Sequence, residues 1–512
     1  MSNYGHPGVY VQERLLSGSP DFDPSVSMAV FVAAHGRGPV EPTTIRSWSE
    51  FVRVYGGFPA RTSLLPYALF NYFNAGGNVA SVIRVLGTGS ATSSAELPDG
   101  DSVPAPTLDV EAKNPGAWGD DLAVSILDVG ADRFELRVHF GGTSNANVVE
   151  RFTDLSMDPD SQRYAVSVVN SASAGSSYVT VTDLESSNVD DGSGGNDYAV
   201  VRPAETASPV ALSGGNDGDT PATQDMTDAV DELEKIERTF VVNFPGVSES
   251  SVLDAALAAC ESLGKGFLIV DPSPGANVSE VTGYADTLSA SSYGALYYPW
   301  LHYRDPASNS PGATRHLPPG GSVAGLMVST DTKRGVWKAP AGLDTRVLGA
   351  VSLELELSSS DLDALHLAHV NPVRHIAQVG ITVMGARTLK KADADKYVPI
   401  RRTLIHLRQA LIERTRWAGF EANDELLWST LQSRLSQFLT GFWQEGGLKG
   451  NTAAEAFFVR VDSSINPPES VAAGEVRVEV GVALRYPAEF VIITLSQWEG
   501  GNGQTEELAT IG

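Results

Sequence analysis

Two short apolar runs, Phe240-Val241-Val242-Asn243-Phe244 and Gly266-Phe267-Leu268-Ile269-Val270, flank a helical pattern from Val252 to Leu263. Strands so continuously apolar are buried on both faces, and a helix between them is the crossover a parallel pair requires. The spacing therefore predicts a parallel, doubly covered sheet within 216–357, with another helix over 226–237 ahead of it.

A second α/β pattern precedes it. Met28–Ala34 reads as a buried strand, Gly36-Arg37-Gly38-Pro39 as a turn, and Val79–Leu86 as another strand. Between them, Ser47 and Glu50 have the spacing of a capping box at a helix start. Leu64–Phe73 reads as a further helix, stopped by Ala75-Gly76-Gly77. Over 89–215 the helix signals vanish, and Ser, Gly, Asp and Thr rise around short alternating strands such as Phe134–Phe140. Acids outnumber bases there, which describes an all-β, solvent-facing insertion. The section 358–485 is mixed α+β, with helices over 402–417 and 424–443 and strands over 456–462 and 475–484.

Both ends carry strands without a visible partner. Near the start, Val9, Tyr10, Val11, Gln12, Glu13 and Arg14 alternate among Gly, Pro and Ser. Near the finish, Phe490, Val491, Ile492, Ile493, Thr494 and Leu495 precede a polar tail. A lone strand leaves backbone groups unpaired and must borrow a sheet edge, from its own chain or from another molecule. The expected organisation is an arm (1–25), an N-terminal part of the body (26–88), the β insertion (89–215), an α/β domain (216–357), a C-terminal α+β domain (358–485), and an arm with tail (486–512).

Composition excludes several classes. A net charge of −26 argues against a nucleic-acid-binding chain and opposes close packing of identical copies. No apolar run reaches the ~18 residues of a membrane span. The opening residues lack the basic and apolar regions of a signal peptide, so general secretory export is not expected. Cys260 is the single cysteine, lies in an apolar helical pattern, and reads as a buried structural thiol.

Catalytic and metal motifs are thin. No G-x-S-x-G elbow occurs, and Gly264-Lys265-Gly266 lacks the rest of a phosphate loop. Asp271 ends a strand, where catalytic acids often sit, but Pro272-Ser273-Pro274-Gly275 favours a turn cap. His366, His369 and His375 cluster without H-E-x-x-H or cysteine support, and read as solvated or helix-capping. The stretch from Arg387 to Arg416 is strongly basic, with Arg387, Lys390, Lys391, Arg401, Arg402 and Arg408 as candidates for a positive surface. Two readings stand: a surface facing something negative, or a solvated helix face with internal salt bridges.

An ordered series of strings resembles the contractile phage tail sheath family. It includes Pro7-Gly8-Val9-Tyr10-Val11-Gln12-Glu13, Arg37-Gly38-Pro39, Val82-Ile83-Arg84-Val85 and Asn114-Pro115-Gly116-Ala117-Trp118-Gly119-Asp120-Asp121. It continues with Gly214-Gly215-Asn216-Asp217-Gly218, Val370-Asn371-Pro372, Gly385-Ala386-Arg387-Thr388-Leu389, Val398-Pro399-Ile400-Arg401-Arg402 and Pro487-Ala488-Glu489-Phe490-Val491. A departure falls at Ala377-Gln378-Val379-Gly380, where the family often has a Gly-rich string.

The resemblance implies a multidomain α+β structural protein whose central domain is subtilisin-like. Neither H-G-T-H nor G-T-S-M-A occurs, so a protease triad is not supported. It also implies a virion tail or phage-tail-like injection particle, assembled in the host cytoplasm, without a cofactor. The implied partners are further copies of the chain, the tail tube protein, and baseplate and tail terminator proteins, with no direct nucleic acid and no membrane insertion. The basic candidates would face the tube. A subtilisin-like hydrolase and a host-binding adhesin built on the β insertion are the competing classes.

Overall fold

The computed structural model describes residues 27–58, 63–130, 132–188, 197–392, 394–489, 496–499 and 503–506. The expected arm strands over 9–14 and 490–495 lie outside the described residues.

The chain enters the body as strand β1 (Met28–Ala34), then β2 (Thr43–Ile45), helices α1 (Trp48–Tyr55) and α2 (Leu65–Asn74), and strand β3 (Ala80–Val85). At the start of α1 half of the expected capping box forms. Ser47 Oγ accepts from the Glu50 amide at 3.1 Å, while Glu50 Oε2 accepts from the Arg46 amide, one residue outside the box.

Residues 94–211 hold seven strands, β4 (Ser94–Pro98), β5 (Pro106–Ala112), β6 (Leu122–Gly130), β7 (Arg133–Phe140), β8 (Val148–Leu155), β9 (Val179–Asp183) and β10 (Val210–Ala211), with one short helix, α3 (Ala165–Val169). They form sheets of order β4-β5-β9 and β10-β6-β7-β8. Leu108, Val110, Val124, Phe134, Leu136 and Val181 are among the side chains of a separate core between them.

The chain then returns through α4 (Thr223–Asp231), β11 (Phe240–Asn243), α5 (Ser250–Leu263), β12 (Gly266–Val270), α6 (Val278–Thr287) and β13 (Gly294–Tyr298). A small antiparallel sheet follows, from β14 (Leu301–Arg304), β15 (Thr314–Leu317) and β16 (Ala350–Leu353), with α7 (Gly320–Arg334) between its last two strands. Helix α8 (Ser359–Leu367) leads into β17 (Val370–Ile376) and β18 (Gly380–Val383).

The main sheet has order β18-β17-β13-β12-β11-β1-β3-β2. Its interior pairs are parallel, and β2 and β18 close the two edges antiparallel. The expected parallel pair is β11 with β12, in register from Phe240 opposite Gly266. The sheet is wider than the sequence reading placed it. Ala29 pairs with Val241 on one side and Ala80 on the other, so the segment 26–88 supplies the three strands β1, β3 and β2 at one flank of the same sheet. Strands β17 and β18 extend it past 357, which corrects both expected boundaries. The reason is order of pairing: an insertion between β3 and β11 separates neighbours in space by most of the N-terminal half of the chain. The departure at 377–380 is the β17–β18 turn, where Gln378 and Gly380 have φ of 68° and 106°.

Helices α2 with α7 and α4 with α5 cover the sheet. Helix α7 comes unusually close to α2. A Cβ on Gly321 would lie 2.5 Å from the Ala68 carbonyl oxygen, and one on Gly325 2.4 Å from that of Tyr72.

Beyond β18 the long helices α9 (Val398–Thr415) and α10 (Glu425–Gln444) pack with strands β19 (Phe457–Arg460) and β20 (Glu479–Val482) around Leu431, Leu435, Phe442 and Val459. A terminal hairpin pairs β21 (Ser496–Glu499) with β22 (Gly503–Glu506). Both expected C-terminal strands are shorter than their apolar runs. Among the described residues no helix is long and apolar enough to cross a membrane.

Candidate assembly site

Strand β3 follows β1 on one side of the sheet and β11 returns on the other, a reversal at which open α/β sheets commonly bind ligands. Here the strand ends are filled. Asp271 is fully buried, and its carboxylate accepts from the Gly320 amide at 2.8 Å, Asn243 Nδ2 at 3.0 Å and the Gly246 amide at 3.3 Å. It caps the N-terminus of α7. Burial pushes its carboxyl up to about 6, against the pull of these three hydrogen bonds.

The remaining motif candidates are structural in the same sense. Lys265 Nζ donates to the Glu234 carbonyl at 3.0 Å, and Gly264 is the left-handed cap of α5. Cys260 is buried, which pushes its thiol up. Among the described residues no group of His, Cys, Asp and Glu has metal-binding geometry. His369 departs from the solvated reading: it is buried with φ of 60° just past α8, and its ring contacts the Thr388 carbonyl at 3.1 Å. Its neighbour His375 is exposed on β17.

The basic stretch is largely turned inward. Arg402 is 3% exposed and grips Asp331, 4% exposed, through both nitrogens at 2.9 and 2.5 Å. Arg401 donates to Asp395 at 2.7 Å and lies 4.6 Å from the ring centroid of Tyr293. Arg408 donates to the Leu263 carbonyl at 3.1 Å. Lys390 contacts Asp395 at 3.3 Å, and Lys391 pairs with Asp286. The expectation that Arg401 and Arg402 form a charged surface is corrected. Arg402 lies beside Phe240 and Phe267 at the N-terminal ends of β11 and β12, and Arg401 against Tyr293 at that of β13. In a wound α/β layer the helix C-termini collect at that end, and their partial negative charge favours cations. Arg408 meets the C-terminus of α5, and Arg402 meets Asp331 in the last turn of α7.

Two of the basic candidates bond residues next to the segments expected to be arms. Arg402 Nη2 lies 3.4 Å from Ser27 Oγ, the first described residue after the N-terminal arm. Arg387 binds Glu489, the last residue before the segment 490–495, with both carboxylate oxygens. Spacing in sequence could not reveal Asp331 or Glu489 as partners.

A second junction gathers motifs scattered across the N-terminal half. Arg84, 1% exposed inside β3, donates to the carbonyls of His35 at 2.6 Å, Gly38 at 2.7 Å and Pro115 at 2.8 Å. The Arg37 guanidinium lies 4.6 Å from the Trp118 ring, 4.9 Å from Tyr178 and 5.1 Å from Phe140. Asp217 accepts from the Ala117 amide at 2.8 Å. The β insertion is thus clamped onto the main sheet. An arginine inside an otherwise apolar strand was the available signal for Arg84.

Strands β19 and β20 make a two-stranded sheet. On the β19 side Gln432 Nε2 of α10 donates to the Val459 carbonyl at 3.1 Å. Among the described residues no third strand joins the β20 edge.

Residues 219–389 match the phage tail sheath protein central domain and 391–497 the phage tail sheath C-terminal domain, together more than half of the chain. The tail sheath protein of Vibrio phage KVP40 is 28% identical over 181 residues, which is 35% of this chain and 26% of that protein. The match therefore spans about a quarter of that relative's length. The contracted helical sheath of the anti-feeding prophage aligns over 97% of this chain and 100% of its own, with a TM-score of 0.57 at 20% identity. A sheath tail protein of Listeria innocua aligns over 91% and 96%, with a TM-score of 0.62 at 14% identity. These likenesses extend the shared fold across the N-terminal half, and with the two domain matches they place the chain in the phage tail sheath protein family.

Proposed function

We propose that the protein is the repeating subunit of a contractile tail sheath. Copies join into a helical tube around a tail tube, and shortening of the sheath drives that tube through a target envelope. The observation that carries the reading is the two-stranded sheet β19–β20, whose β20 edge no third strand joins among the described residues, in a chain whose sequence has two further strand-like segments near its ends. Two strands alone are marginally stable in water, and an added strand contributes main-chain hydrogen bonds along the open edge. Donor and acceptor differ, so the contact is heterologous and propagates as an open helix. Such directional bonding is what a chain of charge −26 needs to hold many copies together.

The other assignments are of the same standing. The tail tube, baseplate and tail terminator follow from the family resemblance, as do residence in a virion tail or tail-like particle and assembly in the host cytoplasm. The C-terminal section is the tube-facing part, and the acidic β insertion faces outward. Of the basic candidates, Lys391 is the one that is exposed, with 46% of its side chain accessible. The central domain is subtilisin-like in type, and its wound parallel sheet supports that. Hydrolysis is not assigned to it, because Asp271 is enclosed and holds the start of α7.

Deleting residues 1–20 tests the reading. The truncated chain should keep its cooperative unfolding and remain monomeric, where the full chain forms wide-bore tubes in negative stain. Normal tubes from the truncated chain would overturn strand exchange by the N-terminal arm.

A further inference from the structure

The segment leaving β20 crosses from one part of the body to another before it ends. Leu484 still bridges to Leu448, and Arg485 Nε donates to the Leu448 carbonyl at 2.7 Å. Tyr486 then meets Tyr397 edge-on at 6.2 Å. At Glu489 the chain has reached the α/β body, where Arg387 receives it: Nε to Oε1 at 2.8 Å and Nη2 to Oε2 at 2.5 Å.

We propose that the Arg387–Glu489 pair is a latch that pins the root of the C-terminal arm to the body of its own subunit, so that the arm leaves in one direction toward a second copy of this chain. The proposal rests on the strand-exchange reading. Three features support it. A bidentate arginine–carboxylate pair fixes orientation as well as distance, which a lysine would not. Its side chains are 13% and 21% exposed, so water screens the pair only in part.

Arg387 is also held rigidly. Its amide donates to Asn371 Oδ1 at 2.7 Å, and Asn371 Nδ2 donates back to its carbonyl at 2.8 Å. Asn371 on β17 also donates to the Leu296 carbonyl on β13 at 3.0 Å, and Arg387 Nη1 donates to the His366 carbonyl at 3.2 Å. The fork is therefore built on two interior strands of the main sheet. Opening it would release three residues, 487–489, beyond the Tyr486–Tyr397 contact as extra flexible tether, which lowers the effective concentration of the arm at a neighbouring edge.

The test uses the full chain with Arg387→Glu, Glu489→Arg and the two combined. In the unassembled fraction, each single change should speed amide exchange at 488 and 489 without moving the unfolding midpoint. Each should also cut tube yield by roughly tenfold, the factor that loss of a charge-assisted bond removes. The combined swap should restore both, and Arg387→Lys should restore them only in part. Single variants that exchange faster yet assemble normally would overturn the latch, as would a swap that restores neither readout. A chain ending at 489 separates this from the underlying reading: tubes from it would remove C-terminal strand exchange itself, whereas loss of tubes beside normal single variants would remove the latch alone.

Discussion

Burial moves two ionisable side chains in opposite directions, and their effects on stability oppose one another over one pH window. Asp271 is raised from 3.8 to about 6 by desolvation, so between those values the native state keeps a proton that the unfolded chain has lost. Stability from this group therefore declines as pH rises from about 4 to 6. His35 is lowered from 6.5 to about 4, again chiefly by burial, with Nε2 bonded to the Tyr55 carbonyl at 2.7 Å. There the unfolded chain takes up a proton that the native state refuses, so stability declines as pH falls through the same window. Asp271→Asn keeps an acceptor for the Gly320 amide and removes one slope. Its unfolding free energy should then rise from pH 4 to 6.5 by up to ~3 kcal/mol, while His35→Gln shows the mirror trend. Denaturant melts at four pH values would check this. An Asp271→Asn profile identical to the parent's would mean that Asp271 ionises freely.

Helix α9 shows how far an element can be read before its neighbours are known. Its existence was legible from the apolar periodicity of 402–417, and it starts only one turn earlier, at Val398. Its polarity pointed the wrong way. Arg401, Arg402, Ile405 and Arg408 are turned inward: Arg401 meets the nearby Asp395, while the partners of Arg402 and Arg408 come from distant segments. Asp331 is 71 positions from Arg402, and Glu489 is 102 from Arg387. Arg402→Ala would strand the Asp331 carboxylate in the interior and should cost about 3–5 kcal/mol in urea denaturation. Lys391→Ala, at an exposed pair, should cost less than about 1 kcal/mol. Equal losses from the two would mean that α9 is not docked through Arg402.

Across the whole molecule, the β insertion is joined to the body at adjacent points. Ala91 and Asn216 exchange hydrogen bonds of 3.0 Å in both directions, and the Asp219 amide donates to the Thr88 carbonyl at 2.9 Å. Joining Ala91 to Asn216 through a two-residue Asn-Gly turn would close a hairpin the structure already pairs. The shortened chain should fold, with a cooperative melt and helix content retained by circular dichroism. Its stability should fall by about 1–3 kcal/mol, because Arg84 loses the Pro115 carbonyl. A shortened chain without a cooperative transition would mean that the body depends on the insertion. The insertion's β character was legible because alternation and turn residues are local signals; its clamp by Arg84 and Arg37 was not.

Local residue patterns were enough to read the main strands and helices, the acidic all-β insertion, the absence of catalytic strings, and the family through its ordered motifs. Each of these rests on residues a few positions apart, where side-chain period, caps and turn chemistry act directly. It took the folded chain to show that β1 and β3 lie in the same sheet as β11, that β17 and β18 extend it, that Asp271 caps α7, and that the basic stretch is largely neutralised inside the body. Apart from Asp395, which is near Arg401 and Lys390 in sequence, those outcomes depend on partners tens to hundreds of residues away. Pairing at that distance leaves no periodic trace in the residues it joins.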